Sequence, residues 1–230
     1  AISDLSFELA EGELLGLIGP NGSGKTTAVN LITGFVKPTS GKVLYRGRNI
    51  TNLPPHVIVR LGICRTFQMV KPFYQLPAYK NMIIPLYSPR VKQTAGGDYG
   101  DRDAVALDLL EEVGFERDAQ VAYKSAAVLP QGYLKRLELA KAMALRPDLI
   151  ILDELFSGLS LAEVASIVPI IEKLRKEGKT IIMIEHRLKE LFRIADRVVV
   201  LNFGQKIAEG RADEVMASDA VKKAYLGVEA

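Results

Sequence analysis

Residues 19–26 read Gly-Pro-Asn-Gly-Ser-Gly-Lys-Thr, which fits the phosphate-binding pattern G-x-x-x-x-G-K-[ST]. A triphosphate is a dense anion, held best by inward-pointing backbone N–H groups at a helix N-terminus. Glycines let the backbone curl that closely. The spacing makes Gly19, Asn21, Gly22, Ser23, Gly24, Lys25, Thr26 and Thr27 the candidate phosphate ligands. Lys25 supplies a point charge and the Thr26 hydroxyl a ligand for Mg²⁺. A second reactive group stands at Asp153-Glu154, directly after the apolar run Leu149-Ile150-Ile151-Leu152. Two carboxylates at the end of a buried strand are costly unless used. In phosphate-loop enzymes an Asp there holds Mg²⁺, mainly through water, and the next Glu can polarise the attacking water.

These groups need a scaffold that brings residue 25 to residue 153. The apolar run Leu14–Ile18 predicts a buried strand feeding the loop, and Lys25–Thr33 a helix stopped by Gly34. Further strands are predicted at Ser6–Leu9, Lys42–Tyr45, Gly62–Thr66, Leu149–Leu152, Thr180–Ile184 and Arg197–Leu201. Helices are predicted at Asp103–Val113, Tyr133–Leu145 and Leu161–Lys176, with a polar helical tail from Ala212. Asn202-Phe203-Gly204 signals a hairpin, and the polar stretch Ser88–Asp103 a loop. Strands alternating with helices imply an α/β fold with a mostly parallel sheet covered on both faces. The chain is read as one domain, 1–230. Residues 1–67 and 146–230 form the core, and about 68–145 an inserted helical lobe.

Composition excludes several classes. Of 230 residues, 48% are hydrophobic and 25% charged, as in globular proteins. The net charge of +3 is a mild excess that favours a mixed solvated surface over a nucleic-acid footprint. One cysteine, Cys64, rules out an internal disulfide framework and is expected to be a buried free thiol. No signal peptide and no apolar run near the roughly 18 residues of a membrane helix is present.

With these motifs in order, the chain resembles the nucleotide-binding subunits of ABC transporters along nearly its whole length. Arg65-Thr66-Phe67-Gln68 looks like the Q-loop, and the resemblance implies that Gln68 contacts Mg²⁺ and the attacking water. Leu129-Pro130-Gln131-Gly132-Tyr133 stands where the signature L-S-G-G-Q belongs. Ser157-Gly158-Leu159-Ser160 looks like the D-loop, and His186 like the switch histidine that reaches the γ-phosphate. The resemblance implies a P-loop NTPase (RecA-like) core, ATP and Mg²⁺ as ligands, and catalytic roles for Glu154, His186 and Gln68. It assigns Mg²⁺ to Thr26, Gln68 and, through water, Asp153. Implied partners are integral membrane permease subunits, a second ATPase subunit in a homo- or heterodimer, and an external substrate-binding protein, but no nucleic acid. The implied location is the cytoplasmic face of the cell membrane, as a peripheral subunit. The Arg136–Ala140 run, the Asp196–Gly210 stretch and the closing Ala224-Tyr225-Leu226-Gly227 are similar to subunits of branched-chain amino acid importers. Apolar residues after the Q-loop (Phe73, Tyr74, Leu76, Met82) are candidates for docking a permease helix.

The chain departs from the pattern in four places. Pro130 replaces the signature serine, which removes a hydroxyl and an N–H from the site that Pro130, Gln131 and Gly132 complete in trans. Leu155 replaces a proline, and Ser160 an Asp or Asn. The sequence starts at Ala1 within a predicted strand, so the N-terminal antiparallel strands read as truncated and the aromatic residue that stacks on adenine would lie upstream. Two other readings stay open on sequence alone: an ABC ATPase acting on nucleic acid or the ribosome, and a nucleotide-binding module that does not hydrolyse.

Overall fold

The computed structural model describes residues 2–94, 100–117 and 119–226. Strand β1 (Leu14–Ile18) leads into helix α1 (Lys25–Ile32). A small hairpin of β2 (Leu44–Tyr45) and β3 (Arg48–Asn49) follows, then α2 (Pro55–Leu61) and β4 (Ile63–Arg65). Among the described residues, four α-helices come between β4 and the next strand: α3 (Ile83–Leu86), α4 (Pro89–Thr94), α5 (Arg102–Glu112) and α6 (Gln131–Ala144). Then β5 (Leu149–Asp153), α7 (Leu161–Lys176), β6 (Thr180–Ile184) and α8 (Leu188–Ile194) alternate. The hairpin β7 (Arg197–Asn202) and β8 (Gln205–Gly210) precedes α9 (Ala212–Ala217) and α10 (Asp219–Leu226).

The main sheet has the order β4-β5-β6-β1-β7-β8. All its pairings are parallel except β7 with β8. Successive residues of each central strand feed opposite cores. Leu14, Ile18, Ile150, Leu152, Ile181, Met183, Val198 and Val200 pack on one face. Leu15, Leu17, Leu149, Ile151, Ile182, Ile184, Val199 and Leu201 pack on the other. That double burial explains why the strands are unbroken apolar runs rather than alternating ones. The turn Phe203-Gly204 has positive φ at both residues, 44° and 82°, as a two-residue turn matching the strand twist requires. Helix α7 starts on a capping box in which Ser160 Oγ accepts from the Glu163 amide and the Glu163 side chain accepts from the Ser160 amide.

Three expectations are corrected and a fourth is refined. Ser6–Leu9 forms no strand: its alternating side chains Phe7 and Leu9 pack on the second core, but its backbone has no ladder partner among the described residues. Part of the predicted loop 88–103 is helix α4, opened by Pro89, whose fixed φ suits a first helical turn; residues 95–99 lie outside the described residues. The C-terminal tail is helical from Ala212 as expected, with the one refinement that it forms two helices, broken at Ser218. Helix α6 begins at Gln131, two residues before the prediction, because Pro130 sits at its N-cap in extended geometry (φ −56°, ψ 155°).

Candidate functional site

The candidate residues come together because they follow the carboxyl ends of adjacent parallel strands, where α/β sheets open a crevice. The P-loop follows β1, Gln68 lies three residues past β4, Asp153 closes β5 and Glu154 follows it. His186 lies two residues past β6. Loop 19–24 is tightly set. A Cβ at Gly19 (φ +152°) would lie 2.1 Å from Leu201 O and 2.6 Å from Ser23 Oγ. Gly22 and Gly24 hold φ of +78° and +106°, which only glycine adopts freely. The turn between β7 and β8 braces the loop, with Gly204 N donating to Ser23 O at 3.0 Å. Helix α1 has no side-chain cap, so its first amides remain open to an anion.

Lys25 is buried, and its Nζ donates to Gly19 O at 2.8 Å and Pro20 O at 3.0 Å. Burial lowers its pKa from the ordinary lysine value, against the pull of Glu154 and Asp153. Ser23 Oγ is buried without a hydrogen-bond partner, a group whose desolvation a phosphate oxygen would relieve. From α10, Tyr225 lies near the Gly19 backbone, which draws its phenol pKa down while partial burial pushes it up to about 12. The tail's contact with the P-loop has no local sequence signal.

Glu154 is the focus of the opposite wall. Its backbone is left-handed (φ 50°), a conformation costing about 1–2 kcal/mol in a residue with a Cβ. Glu154 N donates to Ile184 O at 2.9 Å. Its two carboxylate oxygens are bracketed: Gln68 Nε2 donates to Oε2 at 2.6 Å, and His186 Nε2 lies 3.1 Å from Oε1. Asp153 is buried, with its amide donating to Thr66 Oγ1 at 3.2 Å. Its Oδ2 accepts from Arg65 Nη2 at 2.5 Å, and Arg65 Nη1 donates to Asn30 Oδ1 at 2.6 Å. The sequence reading missed Arg65 as a partner of Asp153, and Asn30 with it. It also missed Lys135 and Glu185. The buried Glu185 carboxylate accepts from Phe156 N at 2.7 Å, and burial pushes it up to about 7. A usable signal existed for Lys135: at helical spacing it falls between Gly132 and Leu139 on the buried face of α6.

These residues fit Mg-ATP. The loop offers amides, an ammonium and an unpartnered hydroxyl for phosphates. Thr26, Gln68 and Asp153 offer oxygen donors suited to a hard cation. Among the described residues no three His, Cys, Asp or Glu side chains cluster to hold a metal unaided; Mg²⁺ shared with phosphates needs only one or two protein carboxylates. The signature segment lies beside the start of α7. A Cβ at Gly132 would lie 2.4 Å from Glu163 Oε1, and one at Gly158 3.8 Å from Gln131 Cγ. With proline at the cap, α6 has no side-chain N-cap bond, so its first-turn amides are open. Of the proposed docking residues, Phe73, Tyr74 and Leu76 are exposed, whereas Met82 is fully buried and belongs to the core. Cys64 is a buried free thiol, pushed up to about 12 by burial. No helix of the described residues is long and apolar enough to cross a membrane.

A family model described as ABC transporter matches residues 2–157. A second, described as branched-chain amino acid ATP-binding cassette transporter, matches residues 205–230. The chain is similar to the high-affinity branched-chain amino acid transport ATP-binding protein BraF of Pseudomonas aeruginosa, with 35% identity over 99% of this chain and 92% of the relative. A nucleotide-free ATP-binding cassette from an ABC transporter superposes with a TM-score of 0.86 at 28% identity, covering 99% of this chain and 93% of that one. A dimeric post-hydrolysis cassette, MJ0796 bound to ADP and Pi, gives 0.78 at 26% identity, covering 92% and 90%.

Proposed function

Because the chain belongs to the ABC transporter ATP-binding family, we propose that it is the ATP-hydrolysing subunit of an importer of branched-chain or related amino acids. The substrate reading is supported by the match at 205–230 and by the relative's name. It works as a peripheral subunit at the cytoplasmic face of a membrane. Its partners are permease subunits, a second ATPase subunit and an external substrate-binding protein. Exposed Phe73, Tyr74 and Leu76 offer an apolar seat for a permease helix. Residues 1–67 and 146–230 act as the nucleotide-binding core, and 68–145 as a lobe that moves against it.

The observation that carries this reading is the bracketing of Glu154 by Gln68 and His186 beside a P-loop. Lys25 and the amides of residues 19–27 hold the phosphates and stabilise charge on the γ-phosphoryl group. Mg²⁺, bound with ATP, would be held by Thr26, Gln68 and, through water, Asp153, and would supply charge neutralisation at the β- and γ-phosphates. Glu154 orients a water molecule for in-line attack on the γ-phosphorus. The bond to the β-phosphate oxygen breaks, giving ADP and inorganic phosphate. Gln68 and His186 fix the carboxylate of Glu154, so its geometry follows the position of both loops. The first turn of α6, at Pro130, Gln131 and Gly132, faces the nucleotide of the second subunit.

Replacing Glu154 with Gln in the assembled transporter tests the assignment. ATP should still bind and drive the two subunits together, while phosphate release and amino-acid uptake into proteoliposomes stop. Undiminished phosphate release by that variant would overturn the assignment.

A further inference from the structure

We propose that Lys135 is a positioning residue that ties the signature helix α6 to the hydrolytic site of its own chain, by holding the Q-loop and Glu154 at their backbones. This rests on the reading of Glu154 above. Lys135 is 1% exposed, in the second turn of α6. Its Nζ donates to Gln68 O at 2.9 Å and to Glu154 O at 3.0 Å. The same two residues meet again through their side chains, Gln68 Nε2 to Glu154 Oε2 at 2.6 Å. One ammonium therefore closes a ring made of the Q-loop, the end of β5 and the pair that would handle the water.

Structure alone does not require a cation here. Both acceptors are neutral carbonyls, and the carboxylates of Glu185, Glu154, Asp153 and Glu138 act on Lys135 only through space. Taking an ammonium out of water for such bonds is costly. Met or Leu would fill the same space, and many buried positions of α6 are apolar. What the ammonium adds is directional grip on two carbonyls. Glu154 has most to gain. Its left-handed backbone is fixed by its N–H donating to Ile184 O and its carbonyl accepting from Ser157 N at 3.2 Å, and only the bond from Lys135 at 3.0 Å to the same carbonyl comes from outside β6 and the turn after β5. A helical rise of about 1.5 Å per residue puts Lys135 about 6 Å along the axis from Gln131. Any tilt or shift of the first turn of α6 is thus felt at Gln68 and Glu154 together. Engagement of Pro130–Gly132 by the second subunit would in this way set the geometry of the first subunit's own water-handling pair.

The test uses the assembled transporter with Lys135→Met, which keeps an apolar stem and loses the donors. The expected result is a fall in kcat of roughly tenfold or more with KM for ATP changed less than about threefold. Amide exchange should quicken at 66–70 and 153–157 while the strands β1 and β7 keep their protection. A kcat equal to wild type, or a loss of kcat matched by a proportional rise in KM, overturns the proposal. So does faster exchange spread evenly over the chain, which marks a purely structural lysine. If Lys135→Met does not fold, Lys135→Gln decides, since its shorter amide cannot reach both carbonyls: a several-fold loss of kcat is expected, and wild-type kcat refutes. Glu154→Gln runs alongside. If that variant still turns over, the reading of Glu154 has failed; if it is dead while Lys135→Met is normal, only the present inference has.

Discussion

Removing the Arg65 side chain probes how Asp153 is held. The pair is 2.5 Å apart, with side chains only 7% and 4% exposed. At an effective dielectric near 20, unit charges at that separation attract by about 7 kcal/mol, most of it offset by desolvation of both ions. Deleting one partner leaves the other buried and uncompensated, which costs about 3–5 kcal/mol. Arg65→Met also strips Asn30 Oδ1 of its 2.6 Å donor. Lys25 lies close enough to interact with Asp153 and takes up part of the lost compensation, which places the expected loss at the lower end, about 3 kcal/mol. Against a whole-domain stability of about 5–15 kcal/mol, that is a large fraction. Urea unfolding of the purified chain, with an unchanged m-value, reads it directly. The double variant Arg65→Met with Asp153→Asn removes the stranded charge, so its loss should fall well short of the sum of the single losses. A single-variant loss below about 1 kcal/mol, or strict additivity in the double, would refute the picture of a buried, mutually dependent pair.

Three further outcomes follow from single groups. Glu185 has its carboxyl raised from 4.5 to about 7 by burial. Its neutral form is thus the one that suits the fold, and the stability it confers is full below pH 4.5 and lost as pH rises through 7, by about 3 kcal/mol in total. Glu185→Gln should flatten that fall in urea titrations at pH 4.5, 6 and 8, and an unaltered pH slope would contradict it. Gly19→Ala sets a Cβ 2.1 Å from Leu201 O, so ATP affinity by titration should drop by about tenfold or more. Gly22→Ala meets no atom within 4 Å and strains only its φ of +78°, so it should cost distinctly less; equal effects would show that the loop is not tightly packed. Pro130→Ser restores a hydroxyl at the N-cap of α6 and should raise ATP turnover by the assembled pair several-fold. An unchanged rate, with hydrolysis rate-limiting, would show that the proline does not weaken that site.

The parts readable in the sequence are those whose cause is local. Thr180–Ile184 and Leu161–Lys176 are found at their predicted bounds, because an apolar run or stripe and its flanking turn or cap residues are contiguous. The P-loop is legible for the same reason: its glycines answer a geometric demand within eight residues. Ser6–Leu9 misleads because alternation reports burial of side chains, whereas a strand also needs a neighbour to pair with. Met82 misleads because one apolar side chain cannot tell a groove from a core; only the fold shows it at 0% exposure beside Tyr74 at 48%.

The supports of the site escape a local reading for a deeper reason. Parallel strands put their reactive residues at one edge, so each appears in the sequence as a strand followed by a polar residue. What holds those residues comes from wherever the chain next passes that edge. Arg65 reaches Asp153 across 88 positions, and Lys135 reaches back 67 positions to Gln68 and forward 19 to Glu154. Nothing near Arg65 or Lys135 distinguishes it from a surface cation except its place on a buried face. A charged residue at an apolar position of a helix or strand is therefore the sequence feature to follow toward the second layer of such a site. It is costly to keep unless a distant partner uses it, and here both such cations end on the residues that would hold the ion and the water.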